Sequence, residues 1–234
     1  MKNSLKSDAV QRIITKKEIT KAQIERGAGL LKSVNVVINV LYALLIFQVF
    51  LILPRPDDPE LKYHSLGQIY SENIDQLLVI IVGLILIIMY WIQFNRQLGN
   101  LVRSSPIHAA LSILQMFFLM LYLYFVRFDM EFDGMKLALQ MESIFLALAG
   151  FLGAFNWRYA RDRKLTSDQI DDDEEIGLFY SLLPEPLASL FTLPFASFGP
   201  GIWTLSFLSI IPIGYVLKIM RKRLEAKRTD SLNQ

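Results

Sequence analysis

The sequence predicts an all-α membrane protein of six transmembrane helices with both termini in the cytoplasm. Three observations carry that expectation. The 234 residues are 53% hydrophobic and only 20% charged, too apolar for an ordinary soluble domain. Six long apolar runs stand out along the chain, and Lys and Arg gather in alternate connections between them. No cysteine is present, which excludes disulfides, thiolate metal sites and cysteine nucleophiles, and the two histidines, His64 and His108, cannot build a histidine-rich metal centre. With no Ser-His-Asp arrangement and no glycine-rich nucleotide motif, an enzyme is not expected, nor a cofactor or a bound metal.

The bilayer core offers no hydrogen-bond partner to a free backbone, so each apolar run is read as a helix. The spans are Val34–Leu53, Leu77–Phe94, Ile107–Val126, Leu137–Asn156, Leu178–Phe198 and Ile202–Met220. The second is the clearest, with sixteen residues from Leu77 to Ile92 free of charge. The fifth contains Pro184, Glu185, Pro186 and Pro194 and is read as a kinked or partly re-entrant helix. Phe198, Gly199, Pro200 and Gly201 form the tight connection of a helical hairpin between the last two spans. Residues 1–33 make a basic N-terminal segment with helix-compatible spacing and no signal-peptide pattern. Residues 34–220 form the membrane domain, and residues 221–234 a basic tail.

Orientation follows from loop charge. Of 24 Lys and Arg, 20 lie before the first span, in the 95–106 and 157–177 loops, or from Lys218 onward. The 54–76 and 127–136 connections hold Arg55, Lys62, Arg127 and Lys136 against eight acids: Asp57, Asp58, Glu60, Glu72, Asp75, Asp129, Glu131 and Asp133. The positive-inside rule therefore places both termini in the cytoplasm of an integral, multi-pass cell-membrane protein. The basic tails suit contact with anionic lipid rather than nucleic acid. The acidic run Asp168–Glu175 reads as a solvated linker that caps a helix beginning near Ile176.

The first span carries the sharpest functional pointers, because Asn35, Asn39 and Gln48 are polar residues inside an apolar helix. At about 100° per residue, with Asn35 as origin, Asn39 lies near 40° and Gln48 near 220°, on opposite sides. Val37, Leu41, Leu44, Gln48 and Leu51 form one narrow stripe. One reading packs this stripe against a neighbouring helix, with Gln48 as hydrogen-bonding glue worth about 1 kcal/mol. The other places it on the axis of an oligomer, where rings of Leu44 and Leu51 make a constriction that gates by dewetting, with a ring of Gln48 amides between them.

These helices resemble the prokaryotic branch of the transmembrane protein 175 family. The family's first helix carries Phe-Ser-Asp followed by Gly-Val-Phe-Ala-Ile; this chain has Val37, Ile38, Asn39, then Val40, Leu41, Tyr42, Ala43 and Leu44. At the end of the second span the family's Trp-x-x-His and arginine find Trp91, Phe94 and Arg96 here. In the third span Leu114, Gln115, Met116, Phe117, Phe118 and Leu119 look like a Leu-Asn-Leu-Leu-Phe-Leu segment. The resemblance implies a homotetrameric potassium channel whose pore-lining apolar positions fall on Leu44, Gln48 and Leu51. Asn35, Asn39, Trp91, Arg96 and Gln115 would then form a polar network that packs the helices. The chain departs from the pattern where the serine and aspartate are lost, where Phe47 replaces a threonine, and where Gln48 replaces an apolar ring. The alternatives are a non-conducting membrane scaffold or accessory subunit that binds partners through its tails, and a small transporter coupled through Glu142 or Glu185.

The remaining candidates read as structure. Glu142 and Glu185 are expected to snorkel or to hydrogen-bond at helix ends near opposite membrane faces, and His108 to sit at the interface two residues after Pro106. Tyr90, Trp91, Phe94, Phe155, Trp157, Tyr159 and Trp203 are expected at headgroup level.

Overall fold

The computed structural model describes residues 2–52, 74–132, 135–167 and 169–232. The acidic 54–73 connection, with His64, Asp57, Asp58, Glu60 and Glu72, lies outside the described residues, as do Asp133 and Asp168. The described chain is helical: α1 (Lys2–Ile52), α2 (Ile74–Gly99), α3 (Pro106–Glu131), α4 (Lys136–Asp162), α5 (Asp172–Ser181), α6 (Pro184–Thr192), α7 (Pro200–Ser206) and α8 (Ile210–Leu232). Among the described residues six stretches are long and apolar enough to cross a membrane: Lys21–Val49, Leu77–Gly99, Pro106–Glu131, Lys136–Asp162, Asp173–Phe198 and Pro200–Leu224.

Two boundaries differ from the sequence expectation, and the kink expected in the fifth span is a break in the helix, each for a local reason. The first span does not begin near Val34 but continues a helix from Lys2, because no proline interrupts the polar segment before it. The fifth span is broken into α5, α6 and a 3₁₀ turn, Leu193–Phe198. Pro184, Pro186 and Pro194 each lack an N–H and crowd the carbonyl four residues back, which ends one helix and tightens the next. The sixth span is interrupted by a 3₁₀ turn, Phe207–Ser209, placed four residues ahead of Pro212 for the same reason. Between these spans Gly199 has φ of +93°, a conformation glycine adopts without steric cost, and Pro200 opens α7.

Helix starts are capped where the sequence supplies oxygen. Ser105 Oγ accepts from His108 N at 3.2 Å ahead of Pro106, and Asp171 Oδ1 accepts from Glu174 N at 2.7 Å. The acidic run thus does cap a helix, one that begins at Asp172 rather than Ile176.

The α2–α3 and α4–α5 connections meet at one end of the bundle. Leu101 pairs with Thr166 in an isolated β-bridge, and Val102 N donates to Leu165 O at 3.0 Å. Ser104 N donates to Gly27 O at 3.0 Å and Arg221 donates to Asp173 O at 3.3 Å, so α1 and α8 bring their basic stretches to this same end. We refer to it as the basic end.

The hub is α4, which packs against α3, α6 and the 3₁₀ turn after it. Its buried residues include Ala138, Ala147, Ala149, Gly150, Gly153, Ala154 and Ala160. Lipid is as apolar as leucine, so helices in a bilayer associate through close packing, and small side chains permit it. At Gly150 a Cβ would lie 2.6 Å from Tyr90 Oη and 2.8 Å from the Pro186 ring. Gly150→Ala is therefore expected to destabilise by about 1–3 kcal/mol. Gly29→Ala, which meets nothing within 4 Å, should be neutral or stabilising by up to about 1 kcal/mol. Thermal unfolding in detergent checks the order; equal transition temperatures would contradict this packing.

Candidate functional site

Two faces of α1 are unlike. Val34, Ile38, Tyr42, Leu45 and Val49 are buried where the helix packs on α2 and α3. Roughly 100° around the axis, the stripe of Val37, Leu41, Leu44, Gln48 and Leu51 forms an edge that the chain's own helices leave largely open. Val37 is 46% exposed and Leu44 and Leu51 are each 52% exposed, with Leu41 partly covered. Gln48 and Leu51 border a groove of about 340 Å³ whose far wall is α3, with Met120, Tyr124 and Arg127. An adjoining recess of about 280 Å³ runs along Leu41, Leu44 and Phe47. The edge thus presents an amide, two donors and an acceptor, between apolar turns.

On the other side of α1, the asparagines form a clasp to α2. Asn39 Nδ2 donates to Asn35 O at 2.8 Å and to Asn35 Oδ1 at 2.7 Å, while Asn39 Oδ1 accepts from Trp91 Nε1 at 2.9 Å. The other two polar positions of the expected network lie elsewhere. Gln115 is buried between α3 and α4, where a Cβ on Gly153 would meet its Nε2 at 2.7 Å. Arg96 borders a groove of about 330 Å³ at the basic end with Asn100, Asp171, Glu174, Ser181 and Arg221. Five residues on three helices face three neighbourhoods, so they do not make a single network.

Several residues expected at the membrane interface are covered by the chain's own helices. Glu142 is fully buried and Glu185 nearly so, because α4 and α6 are covered by neighbours along the lengths where these acids sit. His108 is buried, with Nδ1 3.0 Å from Ser104 Oγ. Its carbonyl accepts from Ser112 Oγ at 2.9 Å, and Asn156 Nδ2 donates to Ser112 Oγ at 2.9 Å. Tyr90, Phe94, Trp157 and Trp203 are buried too, whereas Trp91 and Phe155 are exposed. The indoles inside find acceptors: Trp157 Nε1 donates to Glu175 O at 3.0 Å, and Trp203 Nε1 to Ser143 Oγ at 2.9 Å. Ser143 Oγ lies 2.7 Å from Thr192 Oγ1, which ties α4 to the end of α6. The sequence signal for this interior was the run of Ala and Gly along α4, which marks a helix covered on more than one side.

Among the described residues no group of three His, Asp or Glu is arranged to hold a metal ion. The Asn39–Trp91 bond is testable by a double-mutant cycle of Trp91→Phe and Asn39→Val. A coupling of about 1 kcal/mol is expected from denaturation in mixed micelles; additive effects would show that the bond contributes nothing.

No family model matches the chain, and no curated protein matches it.

Proposed function

We propose that the chain is one subunit of an oligomeric, channel-like membrane protein for monovalent cations, with the α1 edge along the conducting path. The observation that supports this reading is the open edge itself. The turns that bury Ile38, Tyr42, Leu45 and Val49 leave Val37, Leu44 and Leu51 uncovered, and Gln48 stands among them at a groove. An amide without hydrogen-bond partners in hydrocarbon costs several kcal/mol; facing water in an assembled path, it keeps those partners. In that arrangement Leu44 and Leu51 form apolar rings that close the path by dewetting, and the Gln48 ring between them holds water or a partly dehydrated cation. Potassium and a homotetramer are what the resemblance to the transmembrane protein 175 family implies. The loop charges support cytoplasmic termini.

The test uses purified protein in liposomes. Gln48→Leu should lower potassium flux by about tenfold, equivalent to roughly 1.4 kcal/mol of added barrier, and Gln48→Ala should raise it. Unchanged currents in both variants would remove the α1 edge from the path. Cross-linking in mild detergent should give a symmetric tetramer; a monomer or mixed complex would favour the scaffold reading.

A further inference from the structure

The groove between α1 and α3 is apolar along its length and cationic at one end. Met120, Leu123, Tyr124 and Arg127 follow one another at helical spacing, so they share one face of α3. Leu123 and Leu45 of α1 are buried and make the floor. Above them the trough lies open along Leu44, Phe47 and Leu51, each more than half exposed. Its two parts, of about 340 and 280 Å³, share Gln48, Leu51 and Met120 and are therefore continuous.

The dimensions match one leaflet of a bilayer. From Leu41 to Leu51 a helix rises about 15 Å, half of a hydrocarbon core of about 30 Å. Arg127 stands about 32 Å along α3 from Pro106, which opens the helix at the basic end. A helix that enters the core at Pro106 thus leaves it at Arg127, where phosphate groups lie.

Arg127 suits a phosphate at that level. Its Nε donates to Glu131 Oε1 at 3.1 Å, but the two side chains are 67% and 57% exposed, which makes the pair weak. Glu131 does not border the groove. A guanidinium carries five N–H groups in a planar fork that matches phosphate oxygens, and the two Nη groups of Arg127 have no partner among the described residues. Tyr124, one turn earlier on the same face, adds a hydroxyl. A trough that is apolar for the depth of a leaflet and cationic at its mouth is complementary to an acyl chain beneath a phosphate.

We propose that this groove holds one phospholipid from the leaflet opposite the basic end, with its phosphate on Arg127 and one acyl chain along Leu51, Met120 and Leu44. The site belongs to a single subunit and does not require conduction. Only its consequence, a chain that backs the Leu44 and Leu51 rings, rests on the proposed path.

The experiment uses the full chain in a maltoside detergent, which carries no phosphate, with phosphatidylglycerol bearing a diazirine on one acyl chain as the probe. Adducts formed on irradiation are mapped by peptide mass spectrometry. In the wild type they should concentrate on α1 between Leu41 and Leu51 and on α3 around Met120. Unlabelled phosphatidylglycerol should compete them away, and diacylglycerol, which lacks the phosphate, should not. Arg127→Gln should lower the yield about fivefold, equivalent to roughly 1 kcal/mol, and Arg127→Lys should keep most of it. Met120→Trp, which fills the trough, should abolish labelling, whereas Leu114→Trp, at an exposed position of α3 outside the groove, should not. Adducts spread evenly over the exposed helix faces would overturn the proposal, as would unchanged labelling in Arg127→Gln or Met120→Trp, or equal competition by diacylglycerol. If Met120→Trp also breaks the oligomer trapped by cross-linking, the groove belongs to a second copy of the chain and the proposal is overturned. A labelled groove in protein that passes no potassium would remove the proposed function and leave this site standing.

Discussion

The closeness with which neighbouring helices approach the backbone of α4 is the constraint on which the rest of the structure depends. With Ala and Gly at seven buried positions, α4 leaves room for Tyr90, Pro186 and Gln115 to rest directly on its surface. In water such a helix would be held by the exclusion of solvent from large side chains. In lipid the drive is dispersion across a tight contact, and dispersion falls steeply with a gap of even half an ångström. The small residues of α4 therefore bring α2, α3 and α6 close around it, and that closeness encloses Glu142 and Glu185.

Tight packing has a polar counterpart. Ser112 and Ser189 each return a hydroxyl proton to the carbonyl four residues back, at 2.9 and 2.8 Å, and Ser143 Oγ shares its proton between Leu139 O at 3.1 Å and Thr192 Oγ1 at 2.7 Å. Thr192 bonds to Ser189 O at 2.7 Å where α6 gives way to the 3₁₀ turn. Broken helices in a membrane are tolerated where such hydroxyls and neighbouring helices re-satisfy the backbone. The prolines of the fifth span and the Ser and Thr residues around it are thus two halves of one solution.

What the sequence made legible was whatever depends on length and periodicity. Six apolar stretches were countable because a bilayer demands about 20 residues per crossing. The stripe through Val37, Leu44 and Gln48 followed from helical angles alone, and the angular separation of Gln48 from Asn39 is kept in the structure. Lateral burial was not legible. Glu142 lies near the end of its span in sequence, yet α4 is the hub, so a side chain that would be open to its surroundings on a peripheral helix is covered by protein on this one. The same holds for His108, Tyr90, Trp157 and Trp203. Residues 1–33 have helix-compatible spacing, but that their helix runs unbroken into the first span was not legible, because hydropathy marks where lipid begins and a helix need not end there. The interruption at Phe207–Ser209 follows from Pro212, four residues beyond Leu208, but hydropathy does not reveal it because the run around it stays apolar.

The contact between α1 and the α2–α3 connection has a mechanical consequence. Gly27 lies near the midpoint of the 51-residue helix, with Ser104 bonded to its carbonyl and Arg103 packed on its Cα. A rod held at its centre is a lever, and this fulcrum divides α1 into a polar arm and an apolar arm of nearly equal length. Tilting the rod by 5° about that point would swing Gln48 sideways by about 3 Å, a displacement comparable to the diameter of a water molecule. The apolar arm is also held against α2 and α3 by its Val34–Val49 face and by the Asn39–Trp91 bond, so force on the polar arm would reach the glutamine-bearing edge only by moving α1 together with those contacts.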